Sequence, residues 1–269
     1  MGPTLALSNI AWPPDAHVEA IATLKSLDVT SVEIAPFNVF HTWDIGLDRV
    51  RDFRLRLDDA GITCLAMQGI VFNVAGAHLF RSAESRMLLH AHLLTIARVA
   101  GILGARACVF GGPKLRDPGS LQPGETFDCA AEFLRGIGPA FANEGSALAF
   151  EPNASAYACR FVTTTAEAID LVCQVATPGI KLQIDTGTIF LEAEDPAVLT
   201  RAVQFAAHAH ISEPALAPIG TSGVDHRPLA LALKAGGYEG SISIEMKSTH
   251  AWREAIHKAV ELAREVYLA

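Results

Sequence analysis

The chain has 269 residues, of which 50% are hydrophobic and 19% charged, enough apolar material for one large core and too much for a disordered scaffold. Its 21 Lys and Arg stand against 29 Asp and Glu, a net charge of -8. That balance excludes the cationic surplus on which binding to a phosphate backbone or an anionic membrane surface depends.

In chain order, short runs of β-branched and aliphatic residues recur at 5–11, 31–35, 62–68, 106–110, 147–151, 180–185, 207–211 and 241–245. Between them apolar residues fall at the helical spacing i, i+3, i+4, i+7. Val18, Ile21 and Leu24 follow it after the first run, and Trp252, Ile256, Ala259, Ala263 and Val266 after the last. Asp195-Pro196 reads as an N-cap with proline at the first helical position, and Thr164 with Glu167 has capping-box spacing. The runs repeat about every 34 residues, the size of one βα unit in a closed parallel barrel. The expected fold is therefore α/β, a (β/α)8 TIM barrel formed as a single domain over 1–269. An open doubly wound sheet is the rival, but neither GxGxxG nor GxxxxGK[ST] occurs.

Cys64, Cys108, Cys129, Cys159 and Cys173 are odd in number and form no CxxC knuckle, which predicts reduced thiols rather than a disulfide framework. The opening residues lack a basic segment before an apolar one, and no stretch offers about 20 continuous apolar residues. Together these features predict a cytoplasmic protein.

The loops after the fourth and seventh runs are rich in Gly and Pro, at 111–125 and 212–223. In a barrel such loops lie on the rim where ligands are held. The last four runs end in Glu151, Asp185, His210 and Glu245. Aliphatic residues take the opposite phase, as Leu148 and Phe150, Leu182 and Ile184, Ala209 and Ile211, and Ile242 and Ile244 show. The four polar ends then face the barrel interior, with Ala149, Gln183, His208 and Ser243 beneath them. Adjacent strands lie about 4.8 Å apart, so four inward tips converge, and three carboxylates so close require a cation. One divalent ion meets that need, Mn²⁺ first among Mg²⁺, Co²⁺ and Zn²⁺. His208, one layer deeper, reads as a supporting group.

With its Glu, Asp, His, Glu series, the chain resembles the xylose isomerase-like TIM-barrel superfamily. The phrases at 7–12, 210–214 and 243–247 are similar to those of bacterial sugar phosphate isomerases/epimerases. The resemblance runs over nearly the whole chain and implies a metal quartet of Glu151, Asp185, His210 and Glu245. It also implies that Glu151 and Glu245 serve as an acid/base pair, moving a proton beside a carbonyl through an enediolate, and that the barrel pairs as a homodimer. Two departures stand out from the sugar epimerases: Thr188 replaces a His, and Glu213-Pro214-Ala215-Leu216 replaces a segment with an Arg. Dehydration of a cyclic or sugar-like ketone uses the same site, as in inosose and dehydroshikimate dehydratases. Further readings are an endonuclease IV-like phosphodiesterase, drawing on His17, His41, His78, His90 and His92, and a metal-binding barrel without catalysis. The expected partner is a small polyhydroxylated substrate, neutral or anionic, rather than nucleic acid or membrane. Candidate contacts to it are Glu33 and Gln68 on strands two and three, Lys114 and Arg116 on the fourth loop, and Trp12 and His226, with Phe37 and Trp43 as further wall residues.

Overall fold

The computed structural model describes residues 2–269. Eight parallel strands close into a barrel in sequential order: β1 (Thr4–Ser8), β2 (Ser31–Ile34), β3 (Thr63–Met67), β4 (Ala107–Phe110), β5 (Ala147–Phe150), β6 (Ile180–Asp185), β7 (Ala206–Ser212) and β8 (Ser241–Glu245). Pairing of Leu5 with Ile242 and of Leu7 with Ile244 joins the first strand to the last. The helices are α1 (His17–Ser26), α2 (Pro36–Phe40), α3 (Leu47–Asp59), α4 (Ala83–Leu103), α5 (Pro123–Asn143), α6 (Thr165–Val175), α7 (Thr186–Leu191), α8 (Val198–Ala202), α9 (Arg227–Ala235) and α10 (Trp252–Tyr267).

The period-two reading of the strands places their aliphatic phase outward, where Leu148, Phe150, Leu182, Ile184, Ile211 and Ile244 are buried against the helices. Inside the ring, Ala66, Ala107 and Ala149 form a small separate cluster. Their short side chains leave space for the bulkier polar groups of β2, β6, β7 and β8. Register shifts at Val32/Glu33 and at Leu182/Gln183 re-aim those inward positions.

The capping box at α6 forms as expected, with the Glu167 N–H donating to Thr164 Oγ1 at 3.3 Å and the Thr164 N–H to Glu167 Oε2 at 3.2 Å. Two local expectations are corrected. Asp195 accepts the Ala197 N–H at 2.9 Å, but this closes a turn and α8 starts only at Val198. On α1 the buried face is Ala20, Ile21 and Leu24, with His17 of the first turn packed on Trp12 and Phe53, whereas Val18 points to solvent. α4 is, among the described residues, the helix long and apolar enough by length and composition to cross a membrane. It packs between α3 and α5 and buries Leu89, Leu93, Ile96, Val99 and Leu103.

Candidate metal centre and active site

Glu151 leaves the end of β5, Asp185 ends β6, His210 lies on β7 and Glu245 ends β8. Asp185 pairs with His210 across β6 and β7, while Ser212 pairs with Glu245 across β7 and β8. All four therefore rise into one mouth. His210 Nδ1 is 3.4 Å from Glu151 Oε1 and 3.3 Å from Glu245 Oε2. Ligand atoms of Glu151, Asp185 and His210 lie within 4.8 Å of one another.

Local chain chemistry fixes each group. Asp185 Oδ2 accepts the Thr188 N–H at 2.8 Å, capping α7, and Asp185 Oδ1 accepts from the Ser212 hydroxyl. Gly187 makes that possible, since a Cβ there would sit 2.8 Å from Ser212 Oγ. Asn153 Nδ2 donates to Glu151 Oε2 at 2.8 Å. At Gly111 a Cβ would come within 2.4 Å of the same oxygen, so glycine there lets the Glu151 carboxylate keep this position.

Beneath the mouth, Glu33 crosses the barrel from β2. Its Oε1 accepts from His210 Nε2 at 3.0 Å and its Oε2 from Gln68 Nε2 at 3.1 Å. Gln68 also donates to Ser8 Oγ. Donation of the Nε2 proton to Glu33 ties down one ring nitrogen and points Nδ1 at Glu151 and Glu245, where a cation that displaced the Nδ1 proton would find the lone pair. His208 instead contacts Ser241 Oγ at 2.6 Å and Ser243 Oγ at 2.9 Å.

The electrostatics follow from burial and crowding. Burial, then the charge of Glu151, pushes the Asp185 carboxyl up, and burial raises Glu245. For Glu33 burial is outweighed by His210, His208 and Gln68, which hold it below the usual carboxylate range. Burial drives His208 down to about 4, so its 3.5 Å approach to Glu33 is a contact with a neutral ring. At His210 burial is overcome by Glu33 and Glu245, and the ring is pushed well above an ordinary imidazole.

A divalent cation answers the same surplus of negative charge, and the donor set fits one. His210 Nδ1 is fully buried without a hydrogen-bond partner, a costly arrangement unless a ligand completes it. The group of Glu33, His208 and His210 is also compact, but its ligand atoms are already engaged, Glu33 by His210 and Gln68 and His208 by Ser241 and Ser243, and Glu33 has no exposed surface. The site that can take an ion is therefore the upper one.

Two adjoining cavities of 590 and 460 Å³ open on these residues and share Gly112, Pro113, Glu151 and Tyr157. Gln68 and Lys114 border the larger cavity, and Asp185 and Glu245 the smaller. Four of the expected substrate contacts are placed elsewhere. Glu33 is sealed beneath His210. Arg116 is buried, lies over the Phe150 ring at 4.7 Å and donates from Nη2 to Asn153 Oδ1 at 2.8 Å; it thus braces the residue that holds Glu151. Trp12 packs on His17 beside a separate 180 Å³ cavity. His226 joins Tyr267 at 2.7 Å and Glu213 at 3.3 Å outside the barrel wall, with no capping bond to α9.

The sequence departures have structural roles. Thr188 donates its hydroxyl to Pro152 C=O at 3.2 Å, and Glu213 ties down the seventh loop through Ser222 N–H at 2.8 Å. The histidines that a phosphodiesterase cluster would need are committed elsewhere. His17 stacks near Phe53, His41 lines the Trp12 cavity, His78 accepts from Phe80 N–H at 3.0 Å, His90 meets Phe133 and His92 meets Ile70 C=O at 2.6 Å. Asn153, Ser212 and Tyr157 escaped the sequence reading. Asn153, two residues past Glu151 in the same phase, carried a usable signal; Tyr157, brought in by a 3-10 turn at Ser155–Tyr157, carried none.

The family model for a xylose isomerase-like TIM barrel matches residues 21–266. The chain belongs to that family. Among solved structures, it is similar to a D-psicose 3-epimerase of Clostridium cellulolyticum H10, with a TM-score of 0.81 and 15% identity over 98% of this chain and 99% of that one. A 3-keto-D-glucoside 4-epimerase of E. coli gives 0.78 and 16% over 96% and 98%. A D-allulose 3-epimerase of Methylomonas sp. gives 0.79 and 18% over 99% and 98%. No curated protein matches the chain.

Proposed function

We propose that this family member, one barrel domain across 1–269, is a divalent-metal-dependent isomerase or epimerase of a small polyhydroxylated sugar or sugar phosphate. Glu151, Asp185, His210 and Glu245 would hold the ion, Mn²⁺ first among the candidates. The observation that carries this reading is the buried His210 Nδ1, without a hydrogen bond, set between the carboxylates of Glu151 and Glu245 at the mouth of an open cleft. When bound, a divalent ion supplies Lewis acidity that makes the C–H beside a carbonyl easier to ionise.

The protein's own groups supply the remainder. Glu151 and Glu245 both border the cleft, so either carboxyl can take a proton from the substrate and the other can return one. Return to a neighbouring carbon isomerises; return to the opposite face epimerises. Asn153 holds one oxygen of Glu151, leaving the other free, and Glu33 holds the ring of His210. The five free cysteines suit the reducing cytoplasm as the place of work.

The test is incubation of Mn²⁺-loaded protein with ketoses, aldoses and their phosphates in D₂O. Deuterium uptake beside the carbonyl, lost in Glu245→Gln, is expected. An unsaturated product would move the reaction to dehydration, and absence of exchange with every sugar would reject proton transfer as the activity.

A further inference from the structure

The larger cavity has a chemistry of its own. It reaches away from Glu151 along the loop after β3, and Val71, Phe72, Val74, Val109 and Leu115 contribute most of its apolar wall. This wall is built rather than loose. Trp43 Nε1 donates to Phe72 C=O at 2.6 Å, and His92 Nε2 meets Ile70 C=O at 2.6 Å. The Phe37 ring meets Phe72 edge-on at 5.4 Å, yet Phe72 remains 55% exposed. On the opposite side Gly112, at φ +79°, lets the fourth loop close against Val71, where a Cβ would lie 2.8 Å from the valine methyl.

Charge on the two cavities points the same way. Lys114 is the one cation among their lining residues, which also include the carboxylates of Glu151, Asp185 and Glu245. Arg116, on the same loop, is buried on Asn153. A phosphate ester would bring about two further negative charges and find a single lysine, whereas phosphate sites typically gather arginines or several donors.

We infer that the substrate is an unphosphorylated sugar or cyclitol carrying an apolar, aryl-sized substituent, its polyol ring at the carboxylates and its substituent against Phe72, Val71 and Val74. This rests on the proton-transfer reading for the ring, while the substituent site stands on the cavity itself. Continuity of the two cavities at Glu151 and Tyr157 lets one molecule occupy both. Rigid backbone on the wall lowers the ordering cost of binding there, and an apolar contact of this size is worth at least about tenfold in affinity.

Two measurements keep the readings apart. Calorimetric titration of Mn²⁺-loaded protein with methyl β-D-glucopyranoside, phenyl β-D-glucopyranoside and glucose 6-phosphate measures binding without turnover. The phenyl glycoside is expected to bind at least about tenfold tighter than the methyl glycoside, with the phosphate weakest, and Phe72→Ser is expected to remove most of the phenyl advantage. Equal binding of both glycosides, tightest binding of the phosphate, or no binding of any probe would overturn the inference. Deuterium exchange with the corresponding keto sugars is read separately. Exchange without a phenyl preference defeats the inference alone, and a phenyl preference without exchange defeats the proton-transfer reading alone.

Discussion

Glu33→Gln isolates the hydrogen bond that would orient His210 as a metal ligand. Glu33 Oε1 lies 3.0 Å from His210 Nε2, and neither side chain has exposed surface. The substitution keeps size and one oxygen acceptor but removes the charge that holds the Nε2 proton. Glutamine can also turn its NH₂ toward the imidazole and draw the lone pair to Nε2, away from Glu151 and Glu245. Loss of such a supporting carboxylate typically weakens metal binding by about 10- to 100-fold, or roughly 1.4–2.7 kcal/mol. Gln68 donates to Glu33 Oε2 at 3.1 Å and can still donate to the glutamine oxygen, so the surrounding network survives. Mn²⁺ titration by calorimetry on wild type and variant, with circular dichroism to establish equal folding, gives the comparison. A dissociation constant within twofold of wild type, in a folded variant, would refute the argument that Glu33 orients His210 as a metal ligand.

Gly111→Ala should displace the Glu151 carboxylate, because the new methyl would fall 2.4 Å from its Oε2. A loss of about tenfold or more in Mn²⁺ affinity or exchange rate, with little change in melting temperature, is the expected pattern; unchanged affinity and rate would contradict the placement. Arg116→Met removes a buried guanidinium whose Nε and Nη1 have no partner, so melting temperature should hold or rise. Exchange should nevertheless slow as Asn153 loses its brace, and a variant with wild-type exchange would dismiss that role. Burial lowers the His92 pKa despite its bond to Ile70 C=O. The folded state then resists a proton that the unfolded chain accepts, and stability is lost as pH falls below the ordinary imidazole value of about 6.5, by about 1.4 kcal/mol for each unit of displacement. An NMR titration of the His92 ring should give a midpoint below that value; a midpoint above it would reverse the sign.

Strand phase is what made the upper site readable. In a two-residue repeat, the buried aliphatic face of β5 to β8 dictates that Glu151, Asp185, His210 and Glu245 point inward, whatever the loops do. The same logic placed Glu33 inside, but phase cannot say how deep a side chain sits or whom it meets across the barrel. Its partner His210 is 177 residues away, a contact set by barrel closure. Loop residues carried no such rule. Arg116 reads as a rim charge beside Lys114, yet the turn at Pro113–Leu115 rotates it inward under Asn153. His226 looked available after the seventh run, but α9 and α10 draw it to Tyr267. Phe72 and Tyr157, which shape the cavities, owe their positions to Trp43 and to the Ala215 N–H respectively, pairings that no local pattern announces.

Crystals grown with MnCl₂ and measured at the manganese edge examine the core of this account without any guess at substrate. One strong anomalous peak between His210 Nδ1 and the carboxylates of Glu151, Asp185 and Glu245, absent from His210→Ala, is the predicted result. A map with no peak there at saturating Mn²⁺, or with the ion lodged instead among Glu33, His208 and His210, would contradict it.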